Sequence, residues 1–359
     1  MFMQIVKLTK NKYKQIVNQA REIFENNGLI IFPSDTVYGL AVNALSKKAV
    51  DKLFKFKDRP KGQSVSIAVR NLDQAQDYIK IGLNQKKLLN TLLPGPYTIV
   101  LSSKQKTVKA LEAEDQTLGI RIPDYWFTKE LSKAINFPYT ATSANIHSKG
   151  PHYSIPALLN TLSAKKKALI DLIIDFGQLP HNPPSTVLNM TENKIKILRQ
   201  GMFTLKLVNK FISQNEKQTK NIAQILLKKY LKIAGKFPLV FILQGDLGTG
   251  KTVFTKGLGE FLGINNIISP TYVIYYEYQT DNKIITKLHH FDLYKLEKNE
   301  DLETLEINRT LKPNNLLVFE WGEKIANAFS MIKNKQAKII LINFKELSIN
   351  KRDILVYEI

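Results

Sequence analysis

A glycine-rich segment with phosphate-binding spacing lies in the second half of the chain. Residues 245–252 read Gly-Asp-Leu-Gly-Thr-Gly-Lys-Thr and fit the pattern G-x-x-x-x-G-K-[ST] at every fixed position. In this pattern, loop N–H groups hold phosphate oxygens, the lysine reaches the terminal phosphates and the hydroxyl binds Mg²⁺. The spacing therefore predicts a nucleotide site formed by Gly245, Gly248, Gly250, Lys251 and Thr252.

The segments around this loop have the patterns that such a site needs. The apolar run 237–244 predicts a buried parallel strand, and 253–262 predicts a helix. Residues 316–320 form a second apolar strand that ends in a carboxylate, and Asp292 offers another. Carboxylates at strand ends hold Mg²⁺ or orient the attacking water in phosphate-loop folds. Each acid taken alone could equally be an ordinary solvated residue.

The first half of the chain has a different kind of chemistry. Clusters of hydroxyls, amides and basic side chains stand beside apolar runs, at 33–39, 57–62, 94–98, 139–145, 184–187 and 197–201. Hydroxyls and backbone N–H groups can cap helices or bind anions, and arginine suits a polyphosphate. Each cluster alone is explained as simply by a turn or a helix cap.

These clusters are placed by alternating helix and strand patterns. Residues 11–26 predict a helix that ends before Gly28, and 29–32 predict a strand. The alternation continues to about Gly201, and a polar, basic stretch then leads to a new helix. We therefore predict a two-domain α/β protein, with domains at 1–205 and 206–359.

Composition narrows the class of protein. The chain has 359 residues, 44% of them hydrophobic, a formal net charge of +21 and no cysteine. Disulfides, thiolate zinc sites and cysteine nucleophiles are therefore excluded. The positive charge favours a polyanionic partner such as tRNA, although a genome biased toward lysine codons explains it equally well. Neither a signal peptide nor a membrane span is predicted, so we expect a cytoplasmic protein.

A guanine-binding motif is the main rival for the nucleotide site. Residues 350–353 read Asn-Lys-Arg-Asp and fit N-K-x-D. A GTPase also needs D-x-x-G after the phosphate loop, and no such sequence follows Thr252. We interpret 350–353 as a charged turn and expect ATP rather than GTP.

The second half resembles the TsaE-type ATPases that assist tRNA threonylcarbamoyladenosine modification. The resemblance runs from roughly Phe211 to the end and is carried by 245–252, 269–271, 290–295 and 319–323. It implies that ATP binds at Lys251 and Thr252, with Trp321 beside it. It also implies that Asp292 and Glu320 serve the Mg²⁺ ion and hydrolysis.

The first half resembles the YrdC/TsaC-like threonylcarbamoyl-AMP synthases over roughly residues 4–202. The matching segments are 33–41, 57–60, 94–98, 119–123, 142–145, 185–187 and 199–201. The resemblance implies a twisted α/β fold with a concave basic face. It also implies synthesis of L-threonylcarbamoyl-AMP and pyrophosphate from L-threonine, bicarbonate and ATP.

The same resemblance implies a role for individual residues. Lys57 and Arg59 would bind the triphosphate and act as the catalytic residues. The rest of the nucleotide pocket would be formed by Ser143, Asn145, Ser185 and Arg199. Threonine and its carbamate would face Thr36, Tyr38 and Arg121.

The chain departs from both family patterns at a few positions. Ser34 and Lys295 stand where threonine and arginine are usual, and Thr249 stands where alanine is common. Ser34 keeps the hydroxyl, and Lys295 keeps the charge but lacks the bidentate fork of arginine. The change at Thr249 is also a mild one. Ala68 stands where several synthases have a histidine near threonine, which leaves one substrate contact in doubt.

Together the two resemblances predict a fused protein of one tRNA-modification pathway. The transferase that uses the intermediate resembles metalloproteins with a His-x-x-x-His pair, and no two of the five histidines have that spacing. We therefore expect a separate TsaB/TsaD-like complex as partner, and contact with tRNA that is direct or made through it. The alternative is a double-stranded RNA-binding module fused to a P-loop ATPase or GTPase switch.

Overall fold

A computed structural model provides the structure. It describes residues 3–59, 62–146, 150–192, 195–201, 205–270, 273–295, 305, 307–322, 325, 332, 335–348 and 350–359. Lys61, Thr271 and Glu323, which belong to the segments above, lie outside these ranges. The chain divides into two compact units, one formed by residues 1–86 and 92–203 and the other by 87–91 and 204–359. The boundary at residue 205 stays a prediction.

The first unit is a mixed α/β unit. Its strands are β1 (Gln4–Lys7), β2 (Ile30–Pro33), β3 (Tyr38–Ala41), β4 (Ile67–Ala68), β5 (Tyr97–Ser102), β6 (Thr117–Arg121), β7 (Tyr139–Thr140), β8 (Thr142–Ser143), β9 (Leu172–Asp175), β10 (Thr186–Asn189) and β11 (Lys196–Arg199). In the described part of this unit they form a five-stranded sheet, β1-β9-β2-β3-β8, and a six-stranded sheet, β11-β10-β5-β6-β4-β7.

Helices accompany these sheets. They are α1 (Tyr13–Glu25), α2 (Lys47–Lys57), α3 (Leu72–Tyr78), α4 (Leu83–Leu92), α5 (Trp126–Ala134), α6 (Ile155–Asn160) and α7 (Ala164–Lys167). The predicted helix at 11–26 is thus confirmed as α1. One apolar face of α1 packs with α5 and the inner sides of β2 and β9 in a buried core. After α1 the chain must turn tightly at Gly28, because a Cβ there would lie 2.4 Å from a methyl carbon of Ile23.

The second unit is built on a single seven-stranded sheet within the described residues. Its strands are β12 (Lys206–Ser213), β13 (Leu239–Gln244), β14 (Tyr275–Gln279), β15 (Lys287–Asp292), β16 (Asn315–Glu320), β17 (Lys338–Ser348) and β18 (Lys351–Glu358), and its helices are α8 (Glu216–Ala234), α9 (Lys251–Phe261) and α10 (Ile307–Thr310). The order is β12-β18-β17-β13-β16-β15-β14. The central strands β17, β13, β16 and β15 are parallel, and β12, β18 and β14 pair antiparallel. The predicted two-domain α/β class is confirmed.

The strand register of the second unit gathers polar residues at one edge. Every residue of β13 and of β16 is buried, as expected for parallel strands covered on both faces. Asp292 pairs with Glu320 in register, and Glu320 pairs with Leu243 of β13. The phosphate loop starts directly after Gln244, so both carboxylates and the loop lie at the carboxyl ends of the strands. Ligands bind at this edge in open α/β sheets.

The Asn350–Asp353 segment is part of a hairpin. Arg352 and Asp353 belong to β18 and pair with Glu346 and Lys345 of β17. The Asp353 carboxylate lies 3.2 Å from the Lys210 ammonium. This carboxylate is therefore held by a lysine of the neighbouring strand β12.

Candidate functional site

The first unit contains a cavity of about 410 Å³. Small-molecule sites have volumes of roughly 300–1,000 Å³. The ends of β2 and β3 and the strands β5, β6, β8, β10 and β11 surround it. Its polar lining consists of Ser34, Thr36, Arg59, Ser64, Ser66, Thr98, Asp115, Thr117, Arg121, Thr142, Ser143, Ser185, Asn189 and Arg199. Three of these side chains are arginines and one is an aspartate, so positive charge is in excess.

The cavity brings together most of the residues predicted for this half. Thr36, Arg59, Arg121, Ser143, Ser185 and Arg199 all line it. Lys57, Asn145 and Tyr38 do not belong to the lining. The lining also includes Ala68, and a methyl group there provides no substrate hydrogen bond.

The first two arginines are held by polar groups of the cavity wall. Arg59 donates from Nη2 to the Ser64 carbonyl at 2.7 Å, and burial lowers the pKa of Arg59. Arg121 donates from Nη2 to Asp35 Oδ1 at 2.7 Å. In the part of the chain that the structure describes, Nε of Arg59 and Nε of Arg121 have no hydrogen-bond partner. Each of these two bonds uses one N–H of a guanidinium that has five, so both groups have further N–H groups to offer a bound anion.

The third arginine belongs to a chain of hydrogen bonds across β11, β10 and β5. Arg199 donates from Nε and Nη2 to the Ser185 carbonyl at 3.2 and 2.9 Å, and from Nη2 to the Ser185 hydroxyl at 3.0 Å. That hydroxyl is 2.8 Å from the Thr98 hydroxyl. Burial, and then the neighbouring charge of Arg121, lower the pKa of Arg199. Two cations held close together are stabilised by an anion between them.

The loop after β2 gives the cavity a wall of hydroxyl groups. The Ser34 hydroxyl donates to the Val37 carbonyl at 2.7 Å and lies 3.3 Å from the Thr36 hydroxyl.

Ser143, at the end of β8, is held by a neighbouring amide. The Ser143 hydroxyl donates to Asn145 Oδ1, and Asn145 Nδ2 donates to the Ile146 carbonyl at 3.1 Å. Asn145 thus orients Ser143 in this structure, rather than lining the cavity itself.

Lys57 supports the cavity from behind. It is the last residue of α2, its side chain is buried, and Nζ donates to the Ser143 carbonyl at 2.7 Å. Burial, and to a smaller extent the charge of Arg59, lower the pKa of Lys57 to about 7. Sequence reasoning placed this ammonium on the triphosphate, whereas the structure places it on the backbone that carries Ser143.

The lowered pKa of Lys57 predicts a pH-dependent effect of Lys57→Met on stability. The unfolded chain keeps an ordinary pKa near 10.5, so between pH 7 and 10 it binds more protons than the folded chain, and wild-type stability rises with pH. The variant lacks this rise. We expect the free energy of unfolding of the variant, relative to that of wild type, to be highest below pH 7. This difference should fall by about 1.4 kcal/mol per pH unit above pH 7.

The measurement is urea unfolding followed by the fluorescence of Trp126. The chain has two tryptophans, and Trp126 lies in the first unit. A Trp321→Phe background therefore makes the signal report on this unit alone. A difference between Lys57→Met and wild type that stays constant from pH 6 to pH 10 would show that the native lysine titrates normally.

Tyr38 lies on the far side of β3. Its neighbours Val37 and Gly39 line the cavity, and successive strand residues point to opposite faces. The Tyr38 hydroxyl donates to the Gly177 carbonyl at 2.8 Å and accepts from the Phe176 N–H at 3.0 Å. Burial raises its pKa. In this structure the Tyr38 hydroxyl thus bonds to the backbone of Gly177 and Phe176, and its contact with threonine stays a prediction.

Replacement of Tyr38 by phenylalanine tests this placement. We expect the free energy of unfolding to fall by about 1–2 kcal/mol, because the Gly177 and Phe176 backbone groups lose their partner. The KM for threonine should stay within about twofold of wild type, since the ring is kept. Trp126 fluorescence in urea and pyrophosphate release measure the two effects. A large rise in the threonine KM at unchanged stability would place Tyr38 at the substrate.

The phosphate loop of the second unit has a backbone that requires glycine. Gly245 and Gly250 have φ values of 147° and 98°. A Cβ on Gly245 would lie 2.7 Å from the Phe344 carbonyl oxygen. Gly250 is the N-cap of α9, so the loop ends at a helix N-terminus, where backbone N–H groups attract phosphate. A cavity of about 280 Å³ lies here, and its lining includes Gly248, Gly250, Lys251, Thr252, Ser269, Asp292, Tyr294, Glu320 and Trp321.

Lys251 is folded onto its own loop. Its Nζ donates to the carbonyls of Gly245 and Asp246, both at 2.8 Å, and lies 4.0 Å from the ring centroid of Trp321. Trp321 has a φ of 59°, a region that non-glycine residues seldom adopt, and this turn after β16 brings its ring to the loop. The ring of Trp321 therefore lies beside the loop, and its place beside a bound nucleotide stays a prediction.

The acids at the sheet edge fit a magnesium ion. Thr252 donates to Glu320 Oε2 at 2.8 Å, and Asp292 accepts from the Ser269 hydroxyl at 3.3 Å and from the Tyr294 N–H at 2.9 Å. Hydroxyl and carboxylate oxygens are the ligands that Mg²⁺ takes, with waters and substrate phosphates completing the shell. In the described ranges no group of three or more His, Cys, Asp or Glu is arranged to hold a metal ion. Thr252, Glu320 and Asp292 supply oxygen donors of the kind that Mg²⁺ takes.

Other residues of these sites were not identified from the sequence. Asp35 holds Arg121, Thr255 donates to Glu320 at 3.1 Å, and Arg352 donates to the Gly248 carbonyl at 3.3 Å. Thr255 lies one helical turn after Thr252, so the helix period was the available signal. Arg352 reaches the loop from a distant strand, and no local pattern indicates that.

Comparison with known proteins agrees with both geometries. Residues 22–201 match the Sua5/YciO/YrdC family model, whose description is telomere recombination. The chain belongs to this family. Residues 213–354 match the model of the threonylcarbamoyl adenosine biosynthesis protein TsaE, so the two predicted family resemblances are confirmed in the predicted order.

Three known proteins show the similarity in more detail. A Methanocaldococcus jannaschii protein named "Putative threonylcarbamoyl-AMP synthase" is 32% identical over 202 residues, 56% of this chain and 93% of that protein. The threonylcarbamoyl-AMP synthase of Pyrococcus abyssi is 30% identical over 187 residues, 52% of this chain and 54% of that protein. The crystal structure of P. abyssi Sua5 complexed with L-threonine aligns with a TM-score of 0.51 at 19% identity, over 94% of this chain and 99% of that one, and shows a shared fold.

None of the helices in the described ranges is both long enough and apolar enough to cross a bilayer.

Proposed function

We propose that this protein is a bifunctional enzyme of tRNA threonylcarbamoyladenosine biosynthesis. The Sua5-family half, residues 1–205, forms L-threonylcarbamoyl-AMP and pyrophosphate from L-threonine, bicarbonate and ATP. The TsaE half, residues 206–359, binds and hydrolyses ATP. It does so in support of a separate TsaB/TsaD-like transferase complex that carries the group to tRNA in the cytoplasm.

The arginine-lined cavity supports the first activity. In this reaction the threonine amine and bicarbonate give a carbamate with loss of water. A carbamate oxygen attacks the α-phosphorus of ATP, and pyrophosphate leaves. The protein forms no covalent bond, so its contribution is to position the reactants and neutralise charge. Arg59 and Arg199 suit the phosphates, and Arg121 with Thr36 suits the carboxylate and the carbamate.

The phosphate loop supports the second activity. Loop N–H groups and Lys251 would bind the β- and γ-phosphates, and Trp321 would pack beside the nucleotide. Mg²⁺, when bound by Thr252, Glu320 and Asp292, would neutralise charge on the phosphates. The carboxylate that remains nearest the γ-phosphate would orient the attacking water.

One observation carries the joint proposal. The chain holds two cavities suited to anions, one lined by Arg59, Arg121 and Arg199 and the other lined by Lys251 and Thr252. A module that only binds RNA would need neither two such cavities nor a phosphate loop. Thr36, Arg59, Arg121, Ser143, Ser185 and Arg199 line the first cavity, and Gly248, Gly250, Lys251, Thr252, Asp292, Glu320 and Trp321 line the second, which supports this assignment.

The deciding experiment measures pyrophosphate release. The full chain is incubated with ATP, bicarbonate and either threonine or alanine, and the adenylate product is identified by mass. We expect pyrophosphate with threonine and the expected mass of threonylcarbamoyl-AMP. Phosphate released by the TsaE half is counted separately in the absence of pyrophosphatase. Pyrophosphate release that does not depend on threonine would overturn the synthase assignment.

A further inference from the structure

His290 occupies a buried position next to the proposed metal site, and no role is assigned to it above. It lies on β15, two residues before Asp292, so both side chains point to the same side of the strand. Its Nε2 is 2.8 Å from Glu320 Oε1. The exposed fraction of the side chain is 0% for His290 and 2% for Glu320.

Glu320 is held by donors from two elements. Thr252 donates to Oε2 at 2.8 Å, and Thr255 donates to Oε1 at 3.1 Å, both from α9. His290 approaches Oε1 from β15. A carboxylate only accepts, so Nε2 of His290 carries the shared proton. The carboxylate plane is thereby fixed between the helix that follows the phosphate loop and the neighbouring strand.

The two carboxylate oxygens have different partners. Oε1 bonds to Thr255 and His290, and Oε2 bonds to the Thr252 hydroxyl. Thr252 is the hydroxyl that turns to Mg²⁺ in a loaded phosphate loop, which leaves Oε2 free to face the ion or its water. Oε1 keeps both of its donors when that happens. The hydrogen bond from His290 therefore sets which oxygen faces the metal.

We propose that His290 is a positioning residue that aims Glu320 at the Mg²⁺ of the bound nucleotide. The proposal rests on the ATP site assigned above and adds a residue to it. Partners that orient metal-binding side chains are expected to change metal affinity about 10- to 100-fold when removed. His290 does not line the cavity at the phosphate loop, so its removal should leave metal-free nucleotide binding unchanged.

The test is a set of titrations on the full chain. Trp321 fluorescence, in a Trp126→Phe background, reports nucleotide binding without hydrolysis. ATP is titrated in EDTA, and Mg²⁺ is then titrated at fixed ATP. We expect His290→Ala to raise the Mg²⁺ midpoint at least tenfold. The ATP affinity in EDTA should stay within twofold of wild type.

Two variants separate positioning from folding. His290→Gln keeps an N–H that can reach Oε1, so it should recover much of the Mg²⁺ affinity. His289→Asn removes the adjacent buried histidine, whose Nδ1 is 2.8 Å from the Tyr275 hydroxyl instead, and it should leave the Mg²⁺ midpoint unchanged. At saturating Mg²⁺, the kcat of His290→Ala for ATP hydrolysis should return to the wild-type value, and its KM for ATP should change little.

The possible failures are distinguishable. An unchanged Mg²⁺ midpoint in His290→Ala, or an equal shift in His289→Asn, overturns the role of His290 and leaves the ATP site intact. If His290→Ala does not fold, His290→Leu takes its place and is compared with His290→Gln. Equal Mg²⁺ midpoints in these two variants would then overturn the role of His290. Absence of any nucleotide binding by the wild-type chain would overturn the ATPase assignment, and the role of His290 with it.

Discussion

Replacement of Arg59 by alanine is expected to lower threonine-dependent pyrophosphate release about 100- to 1,000-fold, the usual effect of removing one preorganised donor from a developing anion. ATP hydrolysis by the second unit should be unchanged. The measurement is kcat/KM for ATP at saturating threonine and bicarbonate, with pyrophosphate and phosphate counted separately.

The size of this effect follows from the surroundings of Arg59. Burial already lowers its pKa, so the charge is poorly solvated and interacts strongly with an anion in the cavity. Nη2 is committed to the Ser64 carbonyl at 2.7 Å, which fixes the plane of the guanidinium. Its Nε has no partner among the residues that the structure describes. The Arg59 guanidinium is therefore already oriented before ATP binds. Such preorganised charge is what makes electrostatic catalysis strong.

Two further variants, Arg59→Lys and Arg70→Ala, show whether the effect is specific to the guanidinium of Arg59. Arg59→Lys keeps the charge but loses the fork, so activity should fall between the alanine variant and wild type. Arg70→Ala removes an exposed arginine of the same unit and should have no effect. If Arg59→Ala retains more than a third of the wild-type kcat/KM, the triphosphate is bound elsewhere in the cavity.

Much of the first unit was predictable from local pattern, but side-chain direction was not. The clusters at 33–39, 139–145 and 197–201 stand beside apolar runs, and the fold does gather residues of each around one cavity. Tyr38 belongs to the first of these clusters and Lys57 to the cluster at 57–62, and both side chains still point away from the cavity. Tyr38 is on the opposite face of β3, and Lys57 ends a helix that packs behind Ser143. Which side of a short strand faces a cavity depends on tertiary packing that a cluster does not encode.

In the second unit the local pattern was more informative. The phosphate-loop motif predicts the strand before it and the helix after it. Parallel strands then bring Asp292 and Glu320 to the same edge of the sheet. The contacts of His290 with Glu320 and of Arg352 with Gly248 depend on strand order. Strand order in a seven-stranded sheet is a long-range property, so these partners required the structure.

Replacement of Lys251 by alanine should separate the two activities in the opposite direction. We expect ATP hydrolysis to phosphate to fall about 100- to 1,000-fold, since the lysine supplies the charge that stabilises the transferring phosphoryl group. Threonine-dependent pyrophosphate release should stay within twofold of wild type. Lys256→Ala, an exposed lysine on the same helix, should change neither activity.

The geometry of Lys251 adds a second readout to this prediction. Without nucleotide its ammonium bonds to the Gly245 and Asp246 carbonyls and lies over the Trp321 ring at 4.0 Å. Binding of ATP must draw the ammonium toward the phosphates, so the cation leaves the indole and Trp321 fluorescence should change. In Lys251→Ala this change should be small even at ATP concentrations that saturate the site. A Lys251→Ala protein that loses pyrophosphate release as well would show that the synthase depends on the second site, because Lys251 belongs to the second unit alone.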